Sequence, residues 1–293
     1  MHRVQWLASS LPDDGDDARS YLAAEAVQDR SSACAESYER LLAETEARTS
    51  VHSVLLAIQV RLTRSVEIGC AALAREVESL VRLLSEADVQ VEALLSADEL
   101  AGRLARTYES HPPTGKAAAV PAAADPWPMA MDECWSYVRV DGLVHATFWV
   151  AEWPRVEVRS DFLAPVLLGS ARSTFGVVME PLAAHAAVRK AEASRTADLA
   201  DAELRRRGGF VSTARHTRES EVLARREAEL AEGHASFRYS GYVTVSAPSV
   251  EELEVAVDQV CHAAGQSRLA LRRLYGDQAA AYTCTLPLCR GLR

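Results

Sequence analysis

The sequence predicts an α+β chain of two ferredoxin-like sandwich units, the second carrying an inserted long helical hairpin. Three observations lead there. Strand and helix signals alternate through residues 1–110, bulky side chains give way to Pro, Ala and Gly over 111–128, and a second alternating series fills 129–293 around two long charged helices at about 183–231.

In the first unit Val4-Gln5-Trp6-Leu7 reads as a strand that ends before Pro12-Asp13-Asp14-Gly15-Asp16-Asp17. That acidic run lacks the alternating oxygen ligands and closing glutamate of a calcium loop, so it reads as a loop whose Asp16 or Asp17 caps a helix over 18–26. A helix over 33–48 and a buried strand over 54–60 follow. From Val66 to Ser85, Leu73, Val77, Leu80, Val81 and Leu84 recur at helical spacing and predict a long amphipathic helix. Val89 to Leu94 alternates as a strand would, and Ser96 begins a helix carrying Leu100 and Leu104.

His111 to Pro128 cannot bury enough apolar area to order itself and is taken as the linker between domains. Beyond it, Asp141-Gly142 between two apolar runs predicts a two-residue hairpin of the type I′ class. Trp149 and Trp153 fall in the second of those strands and are expected in core and sheet surface. Asp161 starts a short helix closed by Gly169, and Thr174 to Met179 is a buried strand. The charged pair, about 183–207 and 217–231 around Gly208-Gly209, has few large apolar residues and should be largely exposed. A strand over 239–245, a helix from Val250 with Ser249 and Glu252 in capping-box register, and a strand over 269–274 close the unit.

Composition limits function. A net charge of -9 and a pI near 5.5 argue against a surface devoted to nucleic acid, since phosphate binding needs a positive field, and no sequence-specific nucleic-acid binding is expected. There is no apolar run of about 18 residues and no signal peptide, so the chain is expected in the cytoplasm. Cys34, Cys70, Cys134, Cys261, Cys284 and Cys289 have no metal-ligand spacing and read as free thiols, the last two in a packed strand. The sole Gly-Lys pair, Gly115-Lys116, lacks the rest of a phosphate loop, and no nucleophile motif is present. The expectation is a non-enzymatic protein with no catalytic, cofactor or metal site. Arg205, Arg206, Arg207, Arg215 and Arg218, with His216, make the junction of the charged helices locally basic and are the candidate partner-binding residues.

One series of residues carries a resemblance: Ala146-Thr147-Phe148-Trp149-Val150 with Trp153-Pro154, Phe162-Leu163, Val177-Val178-Met179-Glu180-Pro181, Ser240-Gly241-Tyr242-Val243-Thr244-Val245, and Leu286-Pro287-Leu288. In this order it resembles the N-terminal domain of the conjugation and type IV secretion ATPases, in the motor-less form found in actinobacterial conjugative and secretion loci. The resemblance implies an assembly component of a type IV secretion-like conjugative DNA-transfer apparatus at the cytoplasmic face of the membrane. Its implied partners are a secretion or conjugation ATPase and inner-membrane platform proteins, with self-association left open. The chain starts inside an expected strand and reads as a shortened form of a membrane-anchored protein. Two other readings stay open: a component of an actinobacterial type VII secretion membrane complex, and an enzyme whose site is assembled only in space.

Overall fold

The structure, a computed structural model, describes residues 3–12, 50–62, 65–108, 127–182, 184–207, 222, 224–225, 228–229 and 235–292. Among these lie eight strands and six α-helices. The predicted helices over 18–26 and 33–48 fall outside them, as do nearly all of the expected linker and about two thirds of the second charged helix.

The strands β1 (Arg3–Pro12), β2 (Ser50–Gln59), β3 (Met131–Glu133), β4 (Val138–Val140), β5 (Leu143–Glu152), β6 (Ser173–Pro181) and β7 (Phe237–Ala247) form one sheet in the order β2-β1-β6-β7-β5-β4-β3, and β8 (Ala270–Arg273) pairs with β5. β7 takes one side of β5, Val144 opposite Ala247 and Trp149 opposite Tyr242. On the other side β4 pairs near Leu143 and β8 near Val150, so two short strands share one long neighbour. β6 and β7 run antiparallel: Ser246 N donates to Arg172 O at one end and Leu182 N to Ser236 O at the other. By contact the chain divides into two compact units, one of Val4–Val178 and Ser240–Gly291 and one centred on Met179–Tyr239. In the first of these, β1 and β2 belong to the same sheet as β5.

Period-two alternation gives β5 and β7 two different faces. Val144, Ala146, Phe148 and Val150 of β5 and Val243, Val245 and Ala247 of β7 lie in the main core with Phe175 of β6. α5 (Val250–Gln266) covers this face with Leu253, Val257, Val260 and Ala264, one residue per turn or nearly so. Its Ser249 cap accepts from Glu252 N at 3.2 Å, and α3 (Ala164–Leu167) adds Val166 to the same core. Trp153 belongs to this core: its ring sits edge-on to Phe175 at 6.2 Å and fills the space above Gly241, where a Cβ would come within 2.6 Å of it. Trp149 donates to Ser240 Oγ at 3.1 Å.

α2 (Ala97–Ala105) carries the full capping box of Ser96 and Glu99. It brings Leu104 and Ala105 against Val138, Val140, Tyr282 and Leu286 in a smaller cluster. Two expectations fail on contact with the sheet. Residues 89–94 pair with no strand, and Val89, Val91 and Leu94 are exposed; alternation makes a strand only where a sheet edge accepts it. Cys284 lies in a 3₁₀ turn, Thr283–Thr285, directly after α6 (Gln278–Tyr282), and not in a strand. Cys284 and Cys289 are nevertheless buried thiols, donating to Ala280 O and Ala57 O. At the hairpin, Asp141 alone of the Asp-Gly pair takes positive φ, 47°, so the turn is not of the predicted I′ form.

In the other unit α4 (Ala184–Arg207) is as polar as expected, with Leu199 and Leu204 exposed. Glu180 is nearly buried there and binds Arg238 at 2.6 Å, with Arg3 at 3.8 Å.

Candidate functional site

The second face of β5 and β7 is polar where the first is aliphatic, because His145, Thr147, Thr244 and Ser246 occupy the alternate positions. Thr147 Oγ1 and Thr244 Oγ1 bond at 2.8 Å, and Thr244 bonds Thr285 at 2.7 Å. Gln278, fully buried, donates to Thr147 O and Leu274 O and accepts from Thr147 N at 2.8 Å. Gln5 of β1 makes the matching tie to the tail, donating to Cys284 O and accepting from Cys289 N, each at 2.7 Å. His145 bonds Ser246 Oγ through Nδ1 at 2.8 Å, while its Nε2 has no hydrogen-bond partner among the described residues. Burial holds its pKa down at about 3, helped by the charge of Arg172, so the imidazole is neutral at pH 7. Burial likewise raises the Tyr282 phenol. The space beside this layer is about 10 Å³, which suits one water and no substrate. What the arrangement does is satisfy polar groups and tie β1, β5, β7 and the tail together.

A larger open cleft of about 500 Å³ runs between residues 157–165 and the end of α5. Its charges offset each other, Arg159 meeting Asp161 at 3.3 Å, so it offers no single-sign field.

A further surface feature among the described residues is the sheet edge at β3. Trp127, Met129, Met131, Trp135 and Tyr275 are all exposed there, Met129 at 98% and Trp135 at 72%. Large apolar side chains grouped on a terminal strand are what protein-binding edges look like. Contacts from behind hold the backbone at Met129 and the rings of Trp135 and Tyr275. Asp141 Oδ1 accepts from Ala130 N at 2.8 Å and Asp141 Oδ2 from Met129 N at 3.2 Å. Trp135 stacks on Tyr275 with ring centroids 6.2 Å apart, and Gly276 N donates to Trp135 O at 2.8 Å. Gly276 has φ +71°, and a Cβ on it would meet the Trp135 ring at 2.8 Å. Arg273 holds Glu254 through two bonds of 2.8 and 3.0 Å, donates to Ser136 O, and lies 6.0 Å from the Tyr275 ring. An aromatic and methionine surface beside a strand that is terminal among the described residues can grip a partner chain by packing and by added strand pairing.

Of the residues expected to bind partners, Arg207 has a described side chain. Arg207 ends α4 and pairs with Glu203 one turn back at 2.9 Å, as a solvated helix face does. The side chains of Arg205 and Arg206 lie outside the described residues, as do Arg215 and Arg218 entirely. Trp127 and Trp135 went unnoticed in the sequence because they flank the edge of the Pro/Ala segment. The alternation of Trp127, Met129 and Met131 with Pro128 and Ala130 was the signal that could have found them.

The described residues thus form a mixed α/β chain with a closed polar layer and an exposed aromatic edge. The family model described as "Putative type VII ESX secretion system translocon, EccE" matches residues 48–150, the stretch from β2 through α1 (Val66–Glu86), α2, β3 and β4 into β5. No curated protein matches the chain.

This match corrects the resemblance to a motor-less conjugation ATPase domain, and with it the type IV, conjugative function and the conjugation ATPase as partner. The quoted series consisted of strands, capped helices and a Leu-Pro-Leu tail, which serve packing: Leu286 fills the small cluster beside Tyr282. Placement as a cytoplasmic protein at the cytoplasmic face of the membrane is corrected too, since the matching family is described as a translocon. Among the described residues no helix is long and apolar enough to cross a membrane.

Proposed function

We propose that this chain is a non-enzymatic assembly component of a type VII ESX secretion translocon, joined to other secretion membrane proteins through the edge at β3. The observation that carries the reading is the family match over residues 48–150, which contains Trp127, Met129, Met131 and Trp135. The neutral, enclosed His145 and the lack of room beside it favour contact over catalysis.

We also infer that β5, α3, β6, β7, α5 and β8 make one ferredoxin-like unit with α4 inserted between β6 and β7. The strand order β8-β5-β7-β6 supports this, being that of a βαββαβ sandwich.

Deleting the gene from its own organism tests the proposed function. Loss of export of the type VII substrates, restored by the wild-type gene but not by a copy with Met131→Asp and Trp135→Asp, is the expected result. Normal export without the gene would refute it.

A further inference from the structure

β3 is terminal in the sheet among the described residues, and its register fixes which of its backbone groups face outward. Cys134 N donates to Tyr137 O at 2.9 Å and Asp141 N to Ala130 O at 3.1 Å, so the even-numbered residues of this strand bond β4. The N–H and C=O of Met131 and Glu133 therefore point away from the sheet. Groups of the same parity on either side are already held, Met129 N by Asp141 Oδ2 and Trp135 O by Gly276 N. A gap of two residues is left between them. Its two outward pairs of groups lie about 7 Å apart, twice the rise of a strand residue, which is the repeat of another extended chain. A helix cannot pair with them, because its own N–H and C=O groups are bonded internally.

Given the translocon role proposed above, we propose that this edge takes a short extended segment of a partner secretion membrane protein, added as a further strand whose backbone bonds Met131 and Glu133. Charge narrows the chemistry of that segment. Residues 127–136 include Asp132 and Glu133 and no basic residue. Glu133 is engaged on one face, its Oε1 accepting from Ala279 N at 2.9 Å, while Asp132 lies on the other, opposite Arg139 of β4. Met131 shares the face of Glu133 and lies opposite Val140 of the smaller core cluster. A strand laid along β3 alternates in the same way, so it sets a basic side chain beside Asp132 and an apolar one beside Met131. The exposed side chains of Met129 and Trp135 flank the gap and pack against its two ends.

Proline at position 131 tests the pairing. Met131→Pro deletes one outward N–H and puts a ring carbon in its place, yet it spares the β3–β4 bonds, which Met131 does not make. The tagged full chain is used to capture type VII secretion membrane subunits from detergent-solubilised membranes of its own organism. Met131→Ala, which loses the side chain and keeps the N–H, is the reference, and Met131→Pro should retain about tenfold less of those subunits, with both chains melting alike. Hydrogen exchange on the wild-type chain makes the test independent of that variant. The amides of Met131 and Glu133 should exchange about tenfold more slowly in the captured complex than in the free chain, while that of Asp132, which faces β4 in both, changes less. Equal retention by the proline and alanine chains, or unslowed exchange at Met131 and Glu133, overturns the added strand and leaves the translocon role standing. Protection of both amides already in the free chain overturns it too, since the chain's own residues then fill the gap. A wild-type chain that captures no such subunits refutes the translocon role and this pairing with it.

Discussion

The Tyr282 ring lies 4.5 Å from the His145 ring, tilted by 33°, and closes the imidazole beneath α6. Its hydroxyl continues outward to Thr107 at 2.9 Å, so α2, β5 and α6 meet around one neutral histidine.

That burial makes stability depend on pH. The folded His145 stays neutral down to about 3, whereas an unfolded histidine takes a proton near 6.5. Below about 6.5 the unfolded state therefore binds more protons, and stability falls as pH drops toward 3. At its steepest this contributes about 1.4 kcal/mol per pH unit. Urea unfolding at several pH values should show that His145→Gln, which can still bond Ser246, removes that slope. An unchanged slope would place the sensitivity in other groups.

Gln278 accepts from Thr147 N and donates to Leu274 O and to Thr147 O, which also accepts from Leu274 N at 3.1 Å. Gln278→Ala removes these three buried bonds and should cost about 2–4 kcal/mol by denaturant titration. A loss below about 1 kcal/mol would mean water replaces the amide.

Gly276→Ala should cost about 1–2 kcal/mol, since alanine strains at φ +71° and its Cβ collides with Trp135. The stack on Tyr275 should be lost with it, visible as a changed near-ultraviolet dichroism. A variant as stable as wild type, with that signal intact, would show that the ring is not held by this contact.

Local features of the fold were legible in the sequence. α1, the capped helices α2 and α5, the hairpin at Asp141 and the polar character of α4 each follow from spacing or a cap within a few residues. What was not legible depends on distant partners. Nothing near Val4 says that β1 enters the sheet beside β6, or that Gln5 will reach Cys284 and Cys289. Val89 to Leu94 has a strand's alternation but no edge to join. His145 could be read as a strand histidine, yet its neutrality comes from burial, to which the Tyr282 ring contributes from far along the chain, and from the charge of Arg172. The exposed edge was missed for a related reason: Trp135 and Tyr275 stack across 140 residues.

Affinity purification from the chain's own organism shows whether the β3 edge joins this chain to type VII secretion membrane subunits. Detergent-solubilised membranes are captured through a tag on the wild-type chain and on one carrying Met131→Asp and Trp135→Asp, and the retained proteins are quantified. Type VII secretion membrane subunits should be enriched by the wild type and reduced about tenfold by the double substitution, with both chains equally folded. Absence of those subunits from the wild-type capture would contradict it, as would equal capture by both chains for the role given to the β3 edge.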